Sequence, residues 1–221
     1  MTLHRALSAL SVLLLMAGTV QGLRGGWIHA KAGLAQILMQ SSWEKTRMTG
    51  GEHRPWPWAD TWPVAVLSLP ESHDSVVLAG ASGRNLAFAP AHLDGSAGPG
   101  ESGTCVIAGH RDTHFADLDG LATGQTVVLE DREGSKHSYR VVAAAVVDET
   151  DTWVMTESDV PTLVLITCWP LDGLAEGAER YVVWAEKAPP NHPPTALRVD
   201  GPSAYPIRDA DDDRDHLAVK P

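Results

Sequence analysis

The chain reads as an all-β domain, an antiparallel barrel or sandwich. Three observations carry this. From residue 64 onward the apolar residues fall into short runs rich in Val, Ile, Leu and Thr. Turn-forming stretches such as Gly80-Ala-Ser-Gly83 and Asp94-Gly-Ser-Ala-Gly-Pro-Gly100 separate them. Few segments between them keep a helical period. Short β-branched runs punctuated by Gly, Pro and Asp are the pattern of closed or packed antiparallel sheets.

Taken in order, residues 6–23 carry no charge and lie between Arg5 and Arg24. This stretch is expected to be an N-terminal membrane-anchor helix. A cleaved signal peptide is the alternative, because small residues near Ala17 and Gly22 offer cleavage sites. In both cases the bulk of the chain is exported. Residues 27–47 are expected to form an amphipathic linker helix with Ile28, Ala32, Ala35, Ile37, Leu38 and Met39 on one face, stopped by Thr49-Gly-Gly51. Pro55-Trp-Pro-Trp-Ala-Asp-Thr-Trp-Pro63 is too proline-rich for a regular element and is expected to pack against the core. Strands are expected at 64–69, 75–79, 86–88, 104–109, 126–130, 137–147, 162–168 and 181–186, with one short helix at 115–121. After residue 187 the composition turns to Pro189, Pro190, Pro193 and Pro194 and then to Asp209-Ala-Asp-Asp-Asp-Arg-Asp215, as in a disordered tail. The resulting division is residues 1–24 anchor, 25–54 linker helix, 55–187 barrel and 188–221 tail.

The 221 residues leave room for one domain with appendages, and the net charge of −11 carries no basic footprint for nucleic acid. Asp209, Asp211 and Asp213 imitate the start of a calcium loop. Arg214 stands where that loop needs Gly, and no Glu follows at its twelfth position. His110 and His114 have the spacing of a zinc-binding helix, yet Arg111 replaces the required Glu and the segment leaves a strand. No metal and no cofactor is expected.

Cys168 ends the run Thr162-Leu-Val-Leu-Ile-Thr-Cys168, where Trp169-Pro170 stops the ladder. His110 ends another run, Thr104-Cys-Val-Ile-Ala-Gly-His110, and Arg180 opens a third. Three strand ends thus offer a thiol, an imidazole and a guanidinium: nucleophile, acid/base and anion stabiliser. Cys105 lies five residues before His110 on one strand, ~16 Å away at the usual rise. If His110 adjoins Cys168, Cys105 is out of disulfide reach and reads as a core residue. Thr167 and Trp169 flank the nucleophile and are expected, with His114, to line the substrate pocket.

Ala-Gly-His110, Leu-Ile-Thr-Cys168 and Arg180 twelve residues later resemble the active-site set of the sortases, cysteine transpeptidases of bacterial surfaces. The likeness spans residues 56–187 and is nearest the compact Gram-negative type, called marine proteobacterial. Val164 departs from the Thr common there, inside the strand, and the acidic tail lies outside the family pattern. The resemblance implies an eight-stranded antiparallel sortase-like β-barrel. It also implies roles. Cys168 attacks a Thr–Gly-type bond in an LPXTG-like C-terminal sorting signal of an exported protein, His110 protonates the leaving amine, and Arg180 stabilises the oxyanion or holds the peptide. An amine acceptor then resolves the acyl-enzyme. The site would face the extracytoplasmic side of the inner membrane, held by the N-terminal helix. The competing readings are a cysteine hydrolase using the same set, and a non-catalytic barrel that binds peptides.

Overall fold

The computed structural model describes residues 2–70, 72–156, 158–171 and 177–187. The tail from residue 188, with its imitation calcium loop, lies outside the described residues. The elements run α1 (Thr2–Thr49), β1 (Pro63–Ser68), β2 (Ser75–Ala79), α2 (Gly83–Leu86), β3 (Ala91–His92), β4 (Thr104–Ala108), β5 (Thr126–Asp131), β6 (Lys136–Asp148), β7 (Thr162–Cys168) and β8 (Glu179–Lys187). Short 3-10 turns cover Leu118–Gly120 and Thr152–Met155.

The eight strands close into a barrel in the order β1-β2-β3-β4-β7-β8-β6-β5. The expected eight-stranded barrel is present, with one difference: β2–β3 and β4–β7 are parallel, so the sheet is mixed. Parallel neighbours need a long crossover, and β5 and β6 are built inside the excursion from β4 to β7. Alternation along the strands sorts side chains to two faces. Leu67, Val77, Cys105, Ile107, Leu129, Tyr139, Leu163, Leu165 and Val183 fill the barrel. Val106, Val147, Val164, Val182 and Trp184 point outward and are covered by Val154 and Trp153 of the 152–155 turn. Trp153 stacks on Trp184 with centroids 5.9 Å apart.

Three expectations for the elements need correction. The anchor and the linker helix are not separate, because α1 continues through Gly25-Gly26. Its packed face is Ala35, Met39, Ser42, Trp43 and Thr46, set by contact with β2 and Phe88's neighbours, while Ile28, Ala32 and Ile37 are exposed. No helix among the described residues is long and apolar enough to cross a membrane. Residues 86–88 are not a strand. The Ser82 hydroxyl accepts from the Asn85 amide as an N-cap, and the Asn85 side chain donates to the Ala79 and Gly80 carbonyls, so this segment starts as helix. Only residues 118–120 of the expected 115–121 helix are helical. Of the tryptophan cluster, Trp56 packs edge-on against Phe88 at 5.1 Å, whereas Trp58 is 80% exposed.

At the barrel end away from Cys168, Asp131 and His137 pair at 2.7 Å, both largely shielded from solvent. Burial alone would raise the Asp131 carboxyl. Hydrogen bonds from His137 and the Ser135 amide outweigh it and hold the group below its usual value. A lowered folded value stabilises above the unfolded value of about 3.9 and is lost as pH falls through the folded one. Asp131→Asn is therefore expected to lower the urea midpoint at pH 7, and the gap to the parent should close below pH ~4.

Candidate active site

The β4–β7 register aligns Thr104 with Thr162 and Ala108 with Ile166. The Gly109 amide continues it, donating to the Ile166 carbonyl at 3.0 Å. Two residues further along each chain stand His110 and Cys168, level with each other. On the other side of β7, Cys168 pairs directly with Arg180 of β8. Face follows from alternation. Val106, Val164, Ile166 and Val182 point outward, so Cys168 and Arg180, each an even number of residues along its own strand, point outward too, while His110, two residues past the end of β4, is exposed. The Cys168 and Arg180 side chains form the top rung of that face, above the rungs covered by the 152–155 turn, and His110 follows the end of the neighbouring strand β4.

The thiol of Cys168 is free and exposed. Cys105 is free and buried inside the barrel, level with Leu163, five residues below the site. Burial, helped by nearby Glu101, pushes its thiol up to about 12, so it stays protonated and inert. His110 is exposed. Its Nδ1 lies 3.4 Å from an oxygen of Asp112. The Arg180 guanidinium is oriented by the Glu179 carbonyl at 2.9 Å and by Glu149 at 2.7 Å. A guanidinium has about five N–H donors, so these contacts do not exhaust it.

The expected flanking residues divide. Thr167 is 2% exposed and points into the barrel, because it is one residue out of phase with Cys168. Its hydroxyl donates to the Gly109 carbonyl at 2.9 Å. Thr167 thus lies behind the site, fastening β7 to the residue before His110, and does not line the groove. Thr167→Val keeps the shape but strands that carbonyl, at a cost of about 1–3 kcal/mol. Loss of thermal stability together with slower Cys168 acylation is the expected result. Trp169 is half-buried and stacks on Tyr181 at 5.6 Å, capping the barrel mouth. His114 is half-buried. Burial lowers its imidazole, a bond to the Phe88 carbonyl only partly offsets this, and nearby His110 adds to the lowering. Of the loop 169–179, residues 172–176 lie outside the described residues.

Sequence reasoning missed Glu149, the partner of Arg180, and the roles of Arg111 and Asp112. The only signal was position: Glu149 follows the end of β6, and the other two follow His110. Among the described residues no group of three or more His, Cys, Asp or Glu could hold a metal.

A family model described as Sortase domain matches residues 67–188, more than half of the chain. The chain belongs to the sortase family. It is 27% identical over 124 residues to Sortase D of Bacillus subtilis (strain 168), covering 55% of this chain and 62% of that protein. Among solved structures, sortase C-1 from Actinomyces oris superposes with a TM-score of 0.53 at 27% identity, over 57% of this chain and 75% of that one. A Clostridium perfringens Sortase D5 transpeptidase shares the fold, with a TM-score of 0.56 at 22% identity over 70% of this chain and 96% of that one.

Proposed function

We propose that this sortase is a cysteine transpeptidase whose nucleophile is Cys168. The observation that carries the reading is the pairing of Cys168 with Arg180 across β7 and β8, with His110 two residues past the Ala108–Ile166 pair of β4 and β7. The Cys168 thiolate adds to the scissile carbonyl of a C-terminal sorting signal, LPXTG-like, in an exported protein. The oxyanion forms beside Arg180, whose charge persists at any working pH. His110 gives its proton to the departing amine as the C–N bond breaks and the thioester remains. An incoming amine attacks the thioester, His110 takes up its proton, and Cys168 is released.

The barrel is held at a membrane by the N-terminal part of α1, with the site on the extracytoplasmic side. The support is the uncharged run from residue 6 to 23 and the exposure of Leu10, Leu13, Leu14, Leu15 and Leu23 along it.

The test offers an LPXTG-type peptide with and without an ordinary primary amine such as glycinamide. A transpeptidase diverts product from the free acid to the amide, read by mass spectrometry. A hydrolase gives predominantly acid in both cases. A peptide-binding barrel gives neither product nor a covalent adduct at Cys168.

A further inference from the structure

The loop after β4 brings more to the site than His110. Arg111 follows an exposed histidine, yet its side chain is only 13% exposed. Its Nη1 donates to the Pro170 carbonyl at 2.9 Å, two residues beyond Cys168. Its Nε lies 3.3 Å from Asp112 Oδ1. The other oxygen of Asp112 lies 3.4 Å from His110 Nδ1, and the Asp112 amide approaches the same nitrogen at 3.4 Å. A continuous arc of polar contacts therefore runs from the loop that carries Cys168, through a guanidinium and a carboxylate, to the imidazole.

We propose that Arg111 and Asp112 are positioning residues that hold the His110 ring with Nδ1 toward Asp112 and Nε2 toward Cys168. The inference rests on the reading of His110 as the acid/base. A catalytic base is commonly oriented by a third group, which fixes its tautomer. Here both charge states of the ring find a partner. The neutral ring keeps its proton on Nδ1, toward the Asp112 carboxylate, and leaves the Nε2 lone pair open to accept a proton. The imidazolium donates from Nδ1 to the Asp112 carboxylate. Asp112 is 53% exposed, and a carboxylate that exposed would rotate freely on its own. The shielded Arg111 guanidinium restrains it, because its Nε lies 3.3 Å from Asp112 Oδ1 while its Nη1 is tied to the Pro170 carbonyl. The link also spans the two loops, so the separation of His110 from Cys168 is braced at the rim as well as by the strands. The other ionisable groups around His110 are His114 on its own loop, Cys168 on β7 and Arg180 on β8. None of these bonds to Nδ1 among the described residues.

The test uses the full chain and two readouts. Long-range 1H–15N spectra of the His110 ring report which nitrogen is protonated. The rate of Cys168 alkylation by iodoacetamide reports the nucleophile, with Cys105 silent. In the parent protein the neutral ring should carry its proton on Nδ1. In Arg111→Ala and Asp112→Ala the ring signals should shift to a mixture of tautomers, and alkylation should slow by at least about tenfold. Arg111→Lys, which can still donate to Pro170, should recover part of the rate. A parent-like tautomer and a rate within about twofold in both alanine variants would overturn the relay. If Arg111→Ala does not fold, Arg111→Lys and Asp112→Ala give the same decision. His110→Ala separates the two levels of the argument. If it alone slows alkylation, the relay fails and the acid/base stands. If it too leaves alkylation unchanged, the role of His110 fails, while the ring spectra still decide whether Arg111 and Asp112 orient it.

Discussion

Cys168→Ala is expected to abolish acyl-enzyme formation completely while leaving the barrel folded. The two halves of this result have separate causes. Activity is lost because, in the proposed mechanism, the sulfur is the atom that forms the covalent bond. Fold is kept because Cys168 is exposed at the strand's end, so truncation opens no cavity in either apolar layer. Intact mass spectrometry after exposure to an LPXTG-type peptide checks the first half, and the urea midpoint checks the second. Cys105→Ala should give the mirror image. It removes a fully buried group from the barrel interior and costs stability, while acylation persists. Persistence of the adduct in Cys168→Ala would transfer the nucleophile elsewhere and remove the basis of the proposed function.

Gly109→Ala is expected to damage both fold and catalysis. A Cβ on Gly109 would lie 2.4 Å from Cδ2 of Phe115, with two further ring atoms within 2.7 Å. Phe115 is 1% exposed and packed in the barrel core, so its ring has no open space to enter. Overpacking of this kind costs about 1–3 kcal/mol. The backbone can relieve the clash only by moving, and the next residue is His110. The Gly109 amide and carbonyl are also the two groups that tie this corner to Ile166 and Thr167. Unfolding midpoint and acylation rate should therefore fall together. Gly120→Ala, with open space around its Cβ, should change neither. A Gly109 variant as stable and as fast as the parent would show that this corner is softer than its packing implies.

The legibility of the chain was uneven, for physical reasons. The 75–79 and 162–168 strands were read to the residue, because β-branched runs bounded by turns are unambiguous. The 86–88 segment was misread because Leu-Ala-Phe is apolar enough for either element. A capping serine and one asparagine side chain decide it, and a hydropathy pattern does not register them. The two-residue β3 is too short to leave any period. The parallel pairings were invisible because strand direction is settled by connection, not by composition. Cys168, His110 and Arg180 stood out as polar residues at the ends of apolar runs. Thr167 was misjudged for a simple reason: adjacency in a strand means opposite faces. Glu149, Arg111 and Asp112 could not be ranked above other charged loop residues without knowing what they touch.

The parallel union of β4 and β7 also bears on when the site comes into being. Its two halves are separated by the whole β5–β6 hairpin and are flanked by β8, which is among the last described residues. Contacts of such long sequence separation close late and slowly. Until β8 has docked, the sulfur belongs to an unfinished chain without an organised imidazole or guanidinium beside it. A nascent or translocating copy of this protein is thus expected to be chemically silent, acquiring its reactivity only once the polypeptide has emerged and settled.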